Sequence, residues 1–252
     1  MSKQILAGFH AIGARLRHAP ASIETIYVDE RRRDGRMVDL QQRAKSLGVR
    51  VSPTDAERLR GLAGEASHQG VVALAAELEH AVTLDDVLNR VNVNTLLLLL
   101  DGVTDPRNLG ACLRVADAAG VSAVIVPRDR SAGLTPSALK AAAGAAETMP
   151  LIAVTNLARA MDDLRDADVR MIGAVGEAEQ SLYELDLTGP LAWAVGAEDS
   201  GLRRLTRERC DALARIPLAG HIESLNVSVA TGICLFESKR QRNDPRPGAG
   251  DG

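Results

Sequence analysis

Three polar segments carry residue types that could do chemistry: residues 105–114 (DPRNLGACLR), 196–202 (GAEDSGL) and 216–228 (IPLAGHIESLNVS). Each follows an apolar run, and loops converging on one edge of a sheet are how α/β enzymes assemble a site. Ordinary structural duties would also account for each segment. Asn108 is a good helix N-cap, Glu198-Asp199 beside Gly201 reads as a turn, and Ser224 or Asn226 could cap a last helix. Asn108 and Arg114 stand six apart, which at ~100° per residue sets them on different helix faces, so their cooperation needs the long arginine to reach across. No GxGxxG follows a strand and no GxxxxGK[ST] occurs, which disfavours a dinucleotide loop or a P-loop. HExxH, GxSxG and paired Cys/His sets are missing too, so metal and serine-hydrolase chemistry drop out.

The elements that must position these segments centre on residues 95–120, TLLLLLDGVTDPRNLGACLRVADAAG. Five consecutive leucines are too short to span a membrane and fit a strand buried on both faces, as in a parallel sheet. Asp105-Pro106 ends the strand, and Leu109, Leu113, Ala116 and Val121 recur at near-helical spacing. This order brings Asp101, Asp105, Arg107, Asn108 and Arg114 to the carboxyl edge of a sheet.

Strand and helix alternate before this stretch as well. The pattern predicts strands at 5–7, 23–28, 49–51 and 71–75, a helix through Phe9, Ile12 and Leu16, and another over 38–47 closed by Gly48. Thr54 is expected to cap a third helix reaching 63. Residues 77–94 look like a connecting segment with a helical turn. Beyond them come strands at 95–100, 123–126, 151–154, 169–175, 191–196 and 213–216. Helices fall at 109–119 capped by Asn108, at 136–143, after Asn156, at 204–209 and at 226–239. The fold class is therefore α/β: a small N-terminal α/β domain over 1–76, a linker over 77–94 and a mostly parallel-sheet domain over 95–242. Residues 243–252, rich in Pro and Gly, are expected to be disordered.

With 252 residues and 46% hydrophobic content the chain can bury one large core or two smaller ones, and two domains are expected. No cationic leader or apolar run of about 18 residues is present, so a cytoplasmic protein without membrane attachment is expected. Cys112, Cys210 and Cys234 lie far apart and read as small buried residues rather than a disulfide or zinc framework. The net charge of −3 hides an asymmetry: residues 1–75 hold 12 Lys and Arg against 8 Asp and Glu, the rest 18 against 25. Arg31-Arg32-Arg33 and Arg36 make the front half basic, although a solvated charge run would look the same. Only Phe9, Tyr27, Tyr183, Trp193 and Phe236 are aromatic, too few for a base-stacking platform, so any nucleic acid would be held mainly by charge and shape.

DPRNLGACLRVADAAG, AVGAEDSGL and IPLAGHIESLNVSVATGICLFE, in this order, resemble the three motifs of the SpoU (TrmH-like) RNA ribose 2'-O-methyltransferases of the SPOUT superfamily. The N-terminal residues ending in SHQGVVA are similar to that family's substrate-binding domain, a ribosomal-protein-like RNA-binding fold. The resemblance implies S-adenosyl-L-methionine as cofactor, contacted by Gly196, Ile216, Leu218 and Leu225. It implies a catalytic group of Asn108, Arg114, Glu198, Ser224 and Asn226, with Arg114 acting on the 2'-hydroxyl. It implies no metal, and attaches no catalytic meaning to His221. A deep trefoil knot and an obligate homodimer, whose site borrows residues across the interface, follow on the same ground. The N-terminal domain tilts the substrate toward a guanosine of the peptidyl-transferase region of 23S rRNA, free or in the assembling large subunit. A tRNA ribose methyltransferase and a non-catalytic RNA-binding module are the alternatives.

Overall fold

The computed structural model describes residues 3–64, 66–76 and 82–243. The first part runs β1 (Lys3–Ala7), α1 (Phe9–His18), β2 (Ile23–Asp29), α2 (Gly35–Ser46), β3 (Val51–Thr54), α3 (Ala56–Ala63) and β4 (Val71–Ala76). Its sheet has the order β1-β4-β2-β3, with β4 antiparallel to both neighbours and β2 parallel to β3. Leu6, Ile12, Leu16, Ile26, Met37 and Ala73 fill its core.

Two expectations shift here. β3 lies over 51–54 rather than 49–51, because pairing with β2 carries the strand through Pro53, which an edge position tolerates. Thr54 then belongs to the strand, and Asp55 caps α3 by accepting from Arg58 N at 2.8 Å. Likewise Asp34 caps α2 and starts it at Gly35, ahead of the apolar periodicity.

The second part runs α4 (Leu84–Leu88), β5 (Leu96–Asp101), α5 (Pro106–Ala119), β6 (Ala123–Pro127), α6 (Pro136–Ala142), β7 (Leu151–Val154), α7 (Leu157–Asp166), β8 (Arg170–Ala174), β9 (Leu191–Gly196), α8 (Arg204–Glu208), β10 (Ala212–Ala214) and α9 (Val227–Asn243). Residues 77–81 of the connecting segment and 244–252 of the expected tail lie outside the described residues. Asn243, expected in the tail, ends α9.

All pairings in the order β10-β8-β9-β5-β6-β7 are parallel. The leucine run explains why this sheet is covered on both sides. Leu96, Leu98 and Leu100 pack with Leu113 of α5 and Leu235 of α9, whereas Leu97 and Leu99 face Leu157, Met161 and Leu164 of α7. Each buried leucine contributes about 1.5–3 kcal/mol. From β5 the chain moves outward through β6 and β7, then crosses to β8 and returns to insert β9 against β5. Connections leaving in opposite directions open a crevice at the carboxyl ends of the central strands.

The two parts meet at one buried arginine. Arg15 of α1 donates from Nε and Nη2 to Glu147 Oε2, at 3.0 and 2.5 Å, in the single turn Ala145–Glu147. Nη1 reaches Ser22 Oγ and the Ala76 carbonyl, and Nη2 reaches Gln4 Oε1. Both charged side chains are under 5% exposed (2% and 4%), so the ion pair is dry and fully bonded.

Candidate active site at the carboxyl edge of the parallel sheet

The first polar segment begins with a cap, but the cap is not Asn108. Pro106 occupies the first turn of α5, where its missing N–H costs nothing, and the cap falls to Asp105, which accepts from Arg107 N at 2.8 Å. Asn108 is thus inside the first turn with its amide free for other partners. Gly110, two residues on, is a packing residue: a Cβ there would stand 2.2 Å from the Ala138 carbonyl of α6.

The second segment leaves β9 at Gly196, which sits beside Asp101 in the register with β5. Residues 197–201 form a tight turn, Gly201 N donating to the Ala197 carbonyl at 2.9 Å, with Gly201 at φ 61. A side chain on Gly196 would collide with this turn, its Cβ 2.0 Å from Gly201 C and 2.3 Å from Leu202 N. The close approach that demands glycine at 196 is therefore made by the chain's own loop. The turn throws Glu198 outward toward α5 and α9.

The third segment ends at Asn226, directly before α9. Its Oδ1 accepts from Ser228 N at 2.9 Å and from Ser228 Oγ at 2.6 Å, as a capping side chain does. Its Nδ2 donates to Asn108 Oδ1 at 3.0 Å and also to Glu198 Oε1. Asn108 Nδ2 donates to Glu198 Oε2 at 3.3 Å, closing a triangle. Val227 N donates to Glu198 Oε1 at 3.2 Å, so the carboxylate also lies at the positive end of the 17-residue α9. Capping and convergence are thus one arrangement: an amide has two ends, and Asn226 spends one on the helix and one on the other segments.

Arg114 is exposed on α5 and makes no hydrogen bond or ion pair among the described residues. Within one chain, Asn108 and Glu198 bond each other and Asn226 rather than Arg114. Beside the triangle lies a cavity of about 240 Å³ over the ends of β8, β9 and β10, whose walls include Gly196, Ile216, Leu218, Leu225, Glu198 and Ser224. Three of these are apolar side chains from one loop, facing a strand end that offers bare backbone.

A further pair was only half visible in the sequence. The Asp101 carboxylate, fully buried at the end of β5, accepts from Arg203 N at 2.9 Å and Arg203 Nε at 2.5 Å. It pins the far end of the loop that presents Glu198. An aspartate closing a leucine run was the one local hint; its partner lies 102 residues on.

The thiols offer no nucleophile. Burial pushes Cys112, Cys210 and Cys234 up to about 12, so each stays protonated at neutral pH. Cys112 Sγ lies 3.7 Å from Thr231 Oγ1 where α5 packs on α9; Cys210 is only partly buried, unlike the other two. No group of three or more His, Cys, Asp or Glu among the described residues could hold a metal. No helix among them is long and apolar enough to cross a membrane. In the basic front half Arg32 and Arg36 lie over the Phe9 ring, at 4.8 and 5.1 Å, and Arg58 over Tyr27 at 5.5 Å. Arg32 also binds Asp34 and the Gln69 carbonyl and is half-buried, whereas Arg31, Arg33 and Arg36 are exposed.

The chain matches known families and proteins over nearly its whole length. Residues 95–236 match the SpoU rRNA Methylase family, and residues 5–81 match the family described as RNA 2'-O ribose methyltransferase substrate binding. The chain is 58% identical over 244 residues to the 23S rRNA (guanosine-2'-O-)-methyltransferase RlmB of Ralstonia nicotianae, covering 96% of this chain and 98% of that protein. It is 50% identical over 247 residues to the protein of the same name from Nitrosomonas europaea, covering 98% and 95%. Among solved structures it resembles the SpoU methyltransferase AviRb from Streptomyces viridochromogenes in complex with AdoMet, with TM-score 0.74 and 27% identity over 97% of this chain and 92% of that one.

Proposed function

Because the chain belongs to the SpoU rRNA methylase family, we propose that it transfers a methyl group from S-adenosyl-L-methionine to the 2'-hydroxyl of a guanosine ribose in 23S rRNA. The observation that carries this reading is the triangle of Asn108, Glu198 and Asn226, drawn from three segments up to 118 residues apart. The nearby cavity fits the cofactor: Ile216, Leu218 and Leu225 supply an apolar slot for the adenosyl group, and the bare backbone at Gly196 supplies polar edges. When bound, the cofactor supplies an electrophilic methyl on a sulfonium.

The chain's own residues then have distinct duties. Glu198 and Asn226, tied to Asn108, hold the mouth of the cavity in one geometry, which converts to rate by fixing the attack distance and line. Ser224, on the cavity wall, orients the ribose or the cofactor. Arg114 acts on the 2'-hydroxyl; a guanidinium is a permanent cation, so it stabilises the developing alkoxide and grips a neighbouring phosphate. The hydroxyl proton leaves to water or to that phosphate.

Arg114 meets the triangle of a second copy in this reading, and the active unit is a homodimer. Val229 and Phe236, seven apart on one face of α9, are 50% and 48% exposed, the apolar stripe that a dimer would cover. Support for a trefoil knot comes from the path after β10, which returns from the sheet's outer edge to place α9 against α5 and β9. Residues 1–76 bind the RNA, residues 95–242 carry the transfer, and the enzyme works in the cytoplasm on free or assembling large-subunit rRNA, without metal or membrane.

The test is transfer of radiolabelled methyl from S-adenosylmethionine to a 23S rRNA transcript, with the modified ribose located by alkaline hydrolysis. One resistant guanosine is expected. Methylation of tRNA alone would replace the substrate, and cofactor binding with no RNA methylated would reduce the protein to an RNA-binding module.

A further inference from the structure

A second, larger hollow of about 510 Å³ lies on the same carboxyl edge, over the ends of β6 and β7 and against the start of α8. Its walls carry Arg130, Arg203 and Arg204 against a single carboxylate, Asp129. This is the opposite of the surrounding charge, since residues 76–252 hold 18 Lys and Arg against 25 Asp and Glu. Three guanidinium groups gathered in a hollow of an acidic domain present forked donors to an anion there, two of them already ion-paired, Arg203 with Asp101 and Arg204 with Glu208.

The three arginines are differently prepared. Arg203 is anchored by the buried Asp101, yet its side chain remains 42% exposed. Arg130 stands at the loop tip with φ 61 and has no hydrogen bond or ion pair among the described residues. Arg204 meets only Glu208 one turn on, 2.6 Å away, both side chains more than half exposed at 76% and 51%; such a pair is weak and exchangeable. Asn156 adds an amide: its Oδ1 caps α7 through Arg159 N at 3.1 Å, and its Nδ2 has no partner among the described residues.

The hollow and the cofactor cavity are the two sides of one loop. Glu198 fronts the cavity and Arg203 the hollow, five residues apart and so at most ~17 Å along the chain. We propose that the hollow is a second RNA contact in the transferase domain, taking a phosphodiester of the substrate strand a few nucleotides from the reacting ribose. Asp101 keeps Arg203 at a fixed offset from Glu198, so binding the backbone in the hollow sets which ribose lies at the cavity mouth. This rests on the RNA methyltransferase reading above.

The experiment uses the full chain and an unmodified 23S rRNA transcript. Arg130→Ala with Arg204→Ala leaves the Asp101–Arg203 brace in place. RNA affinity, measured by filter binding over a series of salt concentrations, is expected to fall about tenfold. The slope of log K against log salt is expected to shrink by about 0.7–0.9 per lost contact. KM for the transcript should rise alike, with kcat at saturating RNA and the cofactor Kd as in wild type. The doubly Lys-substituted chain should keep most of the slope, since the charges remain. A wild-type slope and KM in the Ala variant overturn the inference, as does a hollow that takes only inorganic phosphate, seen as phosphate stabilising wild type but not the variant while RNA binding is unchanged. If wild type methylates no RNA, the functional reading falls, and the salt slope still decides whether the hollow touches RNA.

Discussion

Two arginines in this chain divide their donors in opposite ways. Arg15, in the seam between the two sheets, is 2% exposed and makes five hydrogen bonds to four residues of its own chain. Arg114, beside the converging loops, is exposed and makes none among the described residues. A guanidinium whose donors are all used within the fold holds the fold together; one whose donors are kept free is available to a substrate or a second copy. The sequence makes no such distinction, because both sit within apolar helical patterns.

Substitutions can separate the two roles. Glu147→Ala leaves Arg15 buried without its counter-charge and should lower stability by about 3–5 kcal/mol in denaturant unfolding; a loss below about 1 kcal/mol would mean the seam is not a brace. Arg114→Ala should leave the unfolding midpoint within about 0.5 kcal/mol of wild type. Its turnover should nevertheless fall roughly 10²–10³-fold. Arg114→Lys should recover little of that, because a point charge cannot span alkoxide and phosphate as a planar fork can; near wild-type turnover with lysine would refute the two-pronged role.

Mixing sharpens the contrast further. Arg114→Ala and Glu198→Gln chains, each inactive alone, should recover about a quarter of wild-type activity when co-refolded, because in the proposed homodimer half the dimers would be mixed and each would hold one intact shared site. No recovery would place Arg114 and Glu198 in the same chain's site. Gly196→Ala, which drives a Cβ into the 197–201 turn, should cost about 1–3 kcal/mol. Calorimetry should show cofactor affinity falling with it, while the seam is untouched.

At neutral pH the smallest effect concerns the thiols, whose influence on stability grows only in alkali. Folding raises them from 9.0 to about 12 by burial, so the unfolded chain loses these protons first as pH rises. Their contribution to stability is therefore intact below about pH 9 and declines from there toward 12, by up to about 1.4 kcal/mol per thiol per pH unit. Around pH 8 the native protein should not react with Ellman's reagent, and the denatured protein should.

Much of the architecture was legible because it is local. The leucine run, Asn156 as a cap and the alternation of strand and helix each show within about ten residues of chain. Cap positions failed where pairing or proline overrode propensity: Pro106 moved the cap of α5 from Asn108 to Asp105, and β2 drew Thr54 into β3. Strand order, the Arg15–Glu147 seam and the Asp101–Arg203 pin join residues up to 132 apart, and such separations leave no periodic trace. The site stands between these cases. Its three segments were visible as strings, yet that Asn226 serves helix and triangle together emerged only from the two ends of its amide.

The central position of β5 has a cost during synthesis. Its neighbour β9 begins at Leu191, 95 residues after Leu96. At about 5–20 residues per second, that partner emerges roughly 5–20 s later. For that interval a ribbon of five leucines has one flank unpaired, the kind of edge that recruits other chains. Slow production, or truncation before residue 191, should therefore send the nascent polypeptide into aggregates.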